Sequence, residues 1–320
     1  MKTRFQASKT VLAMTVAGLI SGGAFAAPNN FTKLTVGADS SIAFIGSDPA
    51  KAVGKVTGDY ADKNDQAFSN ENKDTIADQA TVTLKGGTIE VSAKAPAKAP
   101  AVEGEKKLGS VTGTGMLNIT ALNAAQGGDA RNATLTLNEG DFSQSSLNIN
   151  FGHLGSETAE QGQAILTVEK GKDMTFGSDK AIKPEAGPPA MTAFVVSAGT
   201  EALVGDNEAA SNILLNNVTI SNAGSLTFEA KSGIFVKSDL DLADSTGVTI
   251  FDGASTLTGS FTGSKVLMGN PNNEENLKAF NQIFTESVVV EGGVFSAQDM
   301  TVDGNQLKVA NGGKFIVNGR

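Results

Sequence analysis

The sequence predicts an all-β protein, a right-handed parallel β-helix with about 22 residues per coil, loop insertions and one short helix. Three observations carry that expectation. Apolar-x-apolar triplets recur between Val218 and Val266: Val218/Ile220, Leu226/Phe228, Ile234/Val236, Leu240/Leu242, Val248/Ile250, then Leu257. Their starts lie 8, 8, 6, 8 and 9 positions apart, so every third triplet returns after about 22 residues. The residues between them are Gly, Asn, Asp and Ser, enough for a bend and too few for a crossover helix. A triplet with apolar ends is a short strand with one face inward. Three strands and three bends then make a coil whose strands pair in parallel with copies one period on. An antiparallel meander or β-sandwich is the alternative, and a meander needs only the single spacing of about 8.

Met1–Ala26 reads as a secretory signal peptide. Lys2, Arg4 and Lys9 form a basic start, Val11 to Ile20 an apolar run, and Ala24-Phe25-Ala26 a small-x-small cleavage site. The apolar run is too short to span a bilayer. The predicted domain, residues 27–320, follows the leader. In it, Phe31, Leu34 and Val36, then Ile42 and Phe44, read as strands. Residues 59–78 read as an exposed polar insertion. Thr81–Val91 reads as strand, bend at Gly86-Gly87, and strand. Residues 92–107 (SAKAPAKAPAVEGEKK) are rich in Pro, Ala and Lys and read as a loop thrown out from one coil.

The texture resumes at Val111 and continues through Leu117/Ile119, Leu135/Leu137, Leu147/Ile149/Phe151, Leu166/Val168 and Met174/Phe176. Residues 180–190 are a second Pro-rich insertion; Phe194–Val196, Leu203 and Ile213–Leu215 follow it. Residues 272–284 read as an amphipathic helix: Asn272 or Asn273 caps it, and Leu277, Phe280, Ile283 and Phe284 fall on one face. Strands return at Val288/Val290, Val294/Phe295, Met300/Val302, Leu307/Val309 and Phe315/Val317, with Val294 and Phe315 taken as one period apart. The texture runs to Asn318-Gly319-Arg320, and neither a polar cap nor the aromatic-girdled strands of an outer-membrane barrel are read in it.

Composition narrows function. The chain has 320 residues, no Cys, no Trp, one Tyr, one His and a net charge of −9, which becomes −12 without the leader. Such an acidic chain argues against nucleic acid or anionic lipid as partner. The single His153 sits in Phe151-Gly152-His153-Leu154-Gly155 and reads as a turn residue, and no Gly-x-Ser-x-Gly segment accompanies it. Asp239, Asp241 and Asp244 share a strand and its bend. Asp239 and Asp241 face outward if Leu240 and Leu242 face in. They read as a solvated acidic face, with Ca²⁺ ligation or glycosidic chemistry as the sharper readings. Carbohydrate chemistry of that kind needs cations and aromatic platforms, yet Arg occurs only at 4, 131 and 320, and Tyr60 stands alone. Asn118-Ile119-Thr120, Asn132-Ala133-Thr134 and Asn217-Val218-Thr219 match the glycosylation sequon by composition. Gly86-Gly87, Gly127-Gly128, Gly292-Gly293 and Gly312-Gly313 open no helix and read as turns. No catalytic, cofactor-binding or metal-binding residue is assigned.

The long leader, the Cys-free Gly/Asn/Ser/Thr-rich strands and the segments Asn132–Leu137, Ala164–Val168 and Gly224–Phe228 resemble the passenger region of Gram-negative autotransporters. The resemblance covers roughly residues 30–320 and implies export across the inner membrane and display at the cell surface through an outer-membrane translocator barrel. It further implies a non-catalytic, adhesin-like role, with a host- or neighbouring-cell surface protein or glycan as partner and possible self-association. The alternative is a secreted carbohydrate-active β-helix, a polysaccharide lyase or hydrolase. The serine-protease motif of some passengers is missing, and so is the barrel.

Overall fold

The computed structural model describes residues 30–317 except 39, 47–51, 54–74, 95–100, 125–128, 179–189, 238–239, 243–244, 258–260, 269–275, 281, 292–293, 299–300 and 303–305. The leader, most of the 59–78 insertion and nearly all of the 180–190 insertion lie outside these residues. The described chain is all-β and, apart from the short antiparallel contact of Ala52–Val53 with Ser41–Ile45, its strand ladders are parallel.

The chain visits three runs of strands in turn. Val218–Asn222 belongs to the first, Ser225–Ala230 to the second and Gly233–Val236 to the third, after which Leu240–Asp241 returns to the first. Each strand pairs with its successor in the same run: Val218 with Leu240, Leu226 with Thr249, Val236 with Leu257. The second of these steps is one position longer than the first and the third one position shorter. Earlier steps, from Leu135 to Leu166 and from Leu166 to Val204, are longer still, because extra residues sit at the bends. The first two runs form one 19-stranded sheet and the third an 8-stranded sheet.

Inward side chains of all three runs meet in one apolar core, from Phe31 through Phe295 and Ala297. Phenylalanines form its spine. Phe142 and Phe176 stack at 5.1 Å, Phe176 meets Phe194 edge-on at 5.1 Å, and Phe194, Phe228 and Phe251 follow at 5.6 Å spacings. Such pairs contribute about 0.5–1.5 kcal/mol each beyond the area they bury. Buried amides close the bends. Asn222 donates from Nδ2 to the Val248 carbonyl and accepts from the Gly224 N–H. Asn123 donates to the Ser156 and Gly199 carbonyls and accepts from the Gly162 N–H. A bend's main-chain groups cannot join a ladder, so side-chain amides satisfy them.

Several expectations need correction. The described residues of the expected helix at 272–284 are strand: Asn276–Phe280 pairs on one side with Ser255–Leu257 and on the other with Val294–Gln298, and Gln282 to Phe284 begin the strand Gln282–Glu291. A helix there would strip the partner from both neighbouring strands, and so short a helix is marginal on its own. The 92–107 loop is shorter than expected. Lys94 and Val102 bridge antiparallel, and Gly104–Leu108 is a strand paired with Ala133–Leu137. The 59–78 insertion likewise gives way to strand from Thr75.

A further correction is one of register. Thr249 and Phe251 are buried, whereas Val248 and Ile250 are only half-buried on the outer face. Leu226 pairs with Thr249 and not with Val248, and a slip of a single position turns a strand over. Leu203 is likewise outward, with Ala202 and Val204 inside, and Phe315 lies opposite Phe295 and not Val294. The bend at Gly86-Gly87 also differs in form. Thr75–Ser92 is one strand with Gly86 at φ +85°, and the register shift there keeps both Val82 and Ile89 inside.

Candidate binding surface

Parallel stacking places outward residues of successive strands in line. In the first run one such line is Met116, Asn148, Ala193, Thr219 and Asp241. The next is Glu90, Asn118, Asn150, Val195 and Ser221. Between Glu90 and Asp241 neither line carries a charge, in a chain of net charge −9. Met116 and Val195 are exposed, at 38% and 39%. Small side chains at Ala193, Thr219 and Ser221 leave a shallow depression beside Val195, with Asp241 at its edge. The result is a flat, neutral surface of amide, hydroxyl and aliphatic groups.

The residues singled out in the sequence fall as follows. Asp241 is exposed between buried Leu240 and Leu242, as the outward reading requires, while Asp239 and Asp244 lie outside the described residues. His153 is not in a turn but in the strand Ser146–Leu154, its Nδ1 2.8 Å from Thr200 Oγ1. Thr200 is 1% exposed, so this hydroxyl offers no nucleophile to a substrate. Each sequon asparagine has a structural task. Asn118 Oδ1 accepts from Asn150 Nδ2, Asn132 Oδ1 accepts from the Gln163 N–H, and Asn217, at φ +49°, donates to the Ser178 carbonyl. Gly312-Gly313 lies at a turn, and the pairs at 127–128 and 292–293 lie outside the described residues. Among the described residues no group of three His, Cys, Asp or Glu could hold a metal ion.

Two charged features escaped the sequence reading. Lys106 is wholly buried in a position of inward parity; its Nζ donates to the Ile76 carbonyl at 2.8 Å and to Asp78 Oδ1 at 3.1 Å, 5.3 Å from the centre of the Phe44 ring. Alternation in GEKKL was its only signal. In the second run Glu229 stands beside Asp252 in register. Burial first, then the Asp252 and Asp206 carboxylates, raise the Glu229 carboxyl above its ordinary value, against a hydrogen bond from the Asn207 backbone. No regular spacing brings these acids together; only the lengthened step between their strands does.

A scan against protein-family models finds none that matches the chain, and searches of curated proteins and of solved structures find no match.

Proposed function

We propose that this chain is a non-catalytic, adhesin-like passenger of the autotransporter type, wound as a right-handed parallel β-helix, exported by its leader and displayed at the cell surface. The observation that carries the reading is the neutral outer face of the first run, where Asn118, Asn150, Val195 and Ser221 lie in register across adjoining strands, with Thr219 in the neighbouring line. A flat surface of this kind suits attachment to a protein or glycan on another cell, because it offers hydrogen bonds and apolar contact with no charge to desolvate. The insertions at bends fit the same reading: they vary the surface while leaving the ladders intact. An outer-membrane translocator barrel is the partner this reading expects, either as a further part of the same protein or as a separate component.

The test is display. Residues 27–320 fused to a heterologous outer-membrane barrel are expected to confer cell aggregation or attachment to host cells. Thr219→Lys with Ser221→Glu is expected to abolish it without changing surface abundance. Turnover of a polysaccharide that disappears in Asp241→Asn would instead establish the carbohydrate-active reading and overturn this one.

A further inference from the structure

The register that turns Val248 and Ile250 outward creates a second surface, on a different run of strands from the neutral face. Ile165, Leu203, Thr227 and Ile250 are aligned strand to strand, Leu267 occupies the next register position, and Val289 follows. All of these whose side chains are described are half-buried, and Val248 widens the line beside Ile250. Six strands at about 4.8 Å spacing make a stripe about 24 Å long, aliphatic in sequence at every position but Thr227. An α-helix of about sixteen residues has that length, and a helix laid along the stripe would present apolar residues at i, i+3, i+4 and i+7.

Charge selects among occupants. Half-buried Glu229 lies on one flank of the stripe, with buried Asp252 next to it in register, and half-buried Glu201 lies on the other. Lys and Arg are absent from the outward positions of the four strands from Gln163–Val168 to Val248–Asp252, and the fifth strand carries one cation, Lys265, two positions before Leu267. An anionic membrane would be repelled, and so would a second copy presenting the same face. A partner with an apolar stripe and basic flanks is attracted on both counts, its cations meeting Glu201 on one flank and Glu229 on the other.

We propose that this face docks a basic amphipathic helical segment of another polypeptide. The inference does not rest on export or on the adhesive role of the neutral face.

Fluorescence anisotropy with the full chain tests it, using a labelled peptide of about sixteen residues, Leu and Lys in helical amphipathic order, matched to the stripe's length. Binding is expected to weaken about tenfold or more for the same residues scrambled, and to vanish for a Leu/Glu peptide. Leu203→Ser with Ile250→Ser is expected to weaken it at least as much, while Met116→Ser with Val195→Ser on the neutral face leaves it unchanged. Equal binding of the scrambled peptide, or equal loss in both double variants, would overturn the proposal. Should the Leu203/Ile250 variant fail to fold, Glu201→Gln with Glu229→Gln decides: affinity is expected to fall severalfold and its salt dependence to flatten. Unchanged affinity in that variant would also overturn the proposal. Sedimentation showing dimers lost in the Leu203/Ile250 variant would point to a second copy and overturn it too.

Discussion

At the residue scale the decisive quantity is parity. Phe251 is buried in contact with Phe228, whereas Val248 lies half-buried on the outer face, in register with Ser225. Phe251→Ala removes a ring from the spine and is expected to destabilise the protein by about 3–5 kcal/mol. Val248→Asp is expected to change stability by less than about 1 kcal/mol, since it buries no charge. Urea denaturation of the two variants checks the pair; the reverse order would place Val248 inside.

Glu229 gives a pH dependence with a definite sign. Its folded value lies above its unfolded one, so the folded state binds the proton more tightly. Its contribution to stability therefore improves as pH falls through the folded value and levels off below the unfolded value, about 4.3. Glu229→Gln is expected to melt higher than the parent at neutral pH, with the gap shrinking as the solution is acidified towards the unfolded value. Thermal melts across that range check it, and a gap independent of pH would contradict the burial argument.

At the scale of single elements, the strands were legible wherever apolar residues alternate, as in Leu135/Leu137, Leu147/Ile149/Phe151 and Met174/Phe176, all of which are buried. Bends were less legible, and the register errors trace to them. A bend can gain or lose a residue with little strain, so Leu226 meets Thr249 and not Val248, Phe295 meets Phe315, and parity departs from the regular repeat. The 276–280 segment failed for another reason: Leu277, Phe280, Ile283 and Phe284 satisfy a helical period, and only the ladders on both sides decide for strand. Lys106 was hidden by composition, since a lysine beside a Pro-rich run reads as solvated.

Glycine at bends can be tested directly. Gly177 has φ +67°, and a Cβ there would collide with the Asn216 carbonyl oxygen. Gly171 has φ +84° but open space around it. Gly177→Ala is expected to lower stability by about 2–3 kcal/mol or more, and Gly171→Ala by about 1 kcal/mol, the backbone strain alone. Equal effects in thermal melts would mean that the two bends are packed alike.

For the whole molecule, the recurrence and the parallel pairing were both readable between Val218 and Val266, where no insertion interrupts them. The surfaces were not readable, because they join residues far apart in the chain through the accumulated register of many bends. Thr219 and Asp241 are neighbours on the neutral face although a whole winding separates them, and Glu229 meets Asp252 only because its own winding is one position longer.

Parallel pairing between successive windings is the claim on which both surfaces depend, and a chain with no cysteine of its own allows it to be tested by introduced pairs. Thr219→Cys with Asp241→Cys places thiols on adjacent strands at the separation a disulfide needs, whereas Thr219→Cys with Thr227→Cys would be neighbours only in an antiparallel hairpin. Oxidation followed by non-reducing electrophoresis and mass mapping is expected to show rapid, near-complete linkage of the 219–241 pair and little of the 219–227 pair. Efficient linkage of 219 to 227 with none of 219 to 241 would contradict the stacked parallel arrangement.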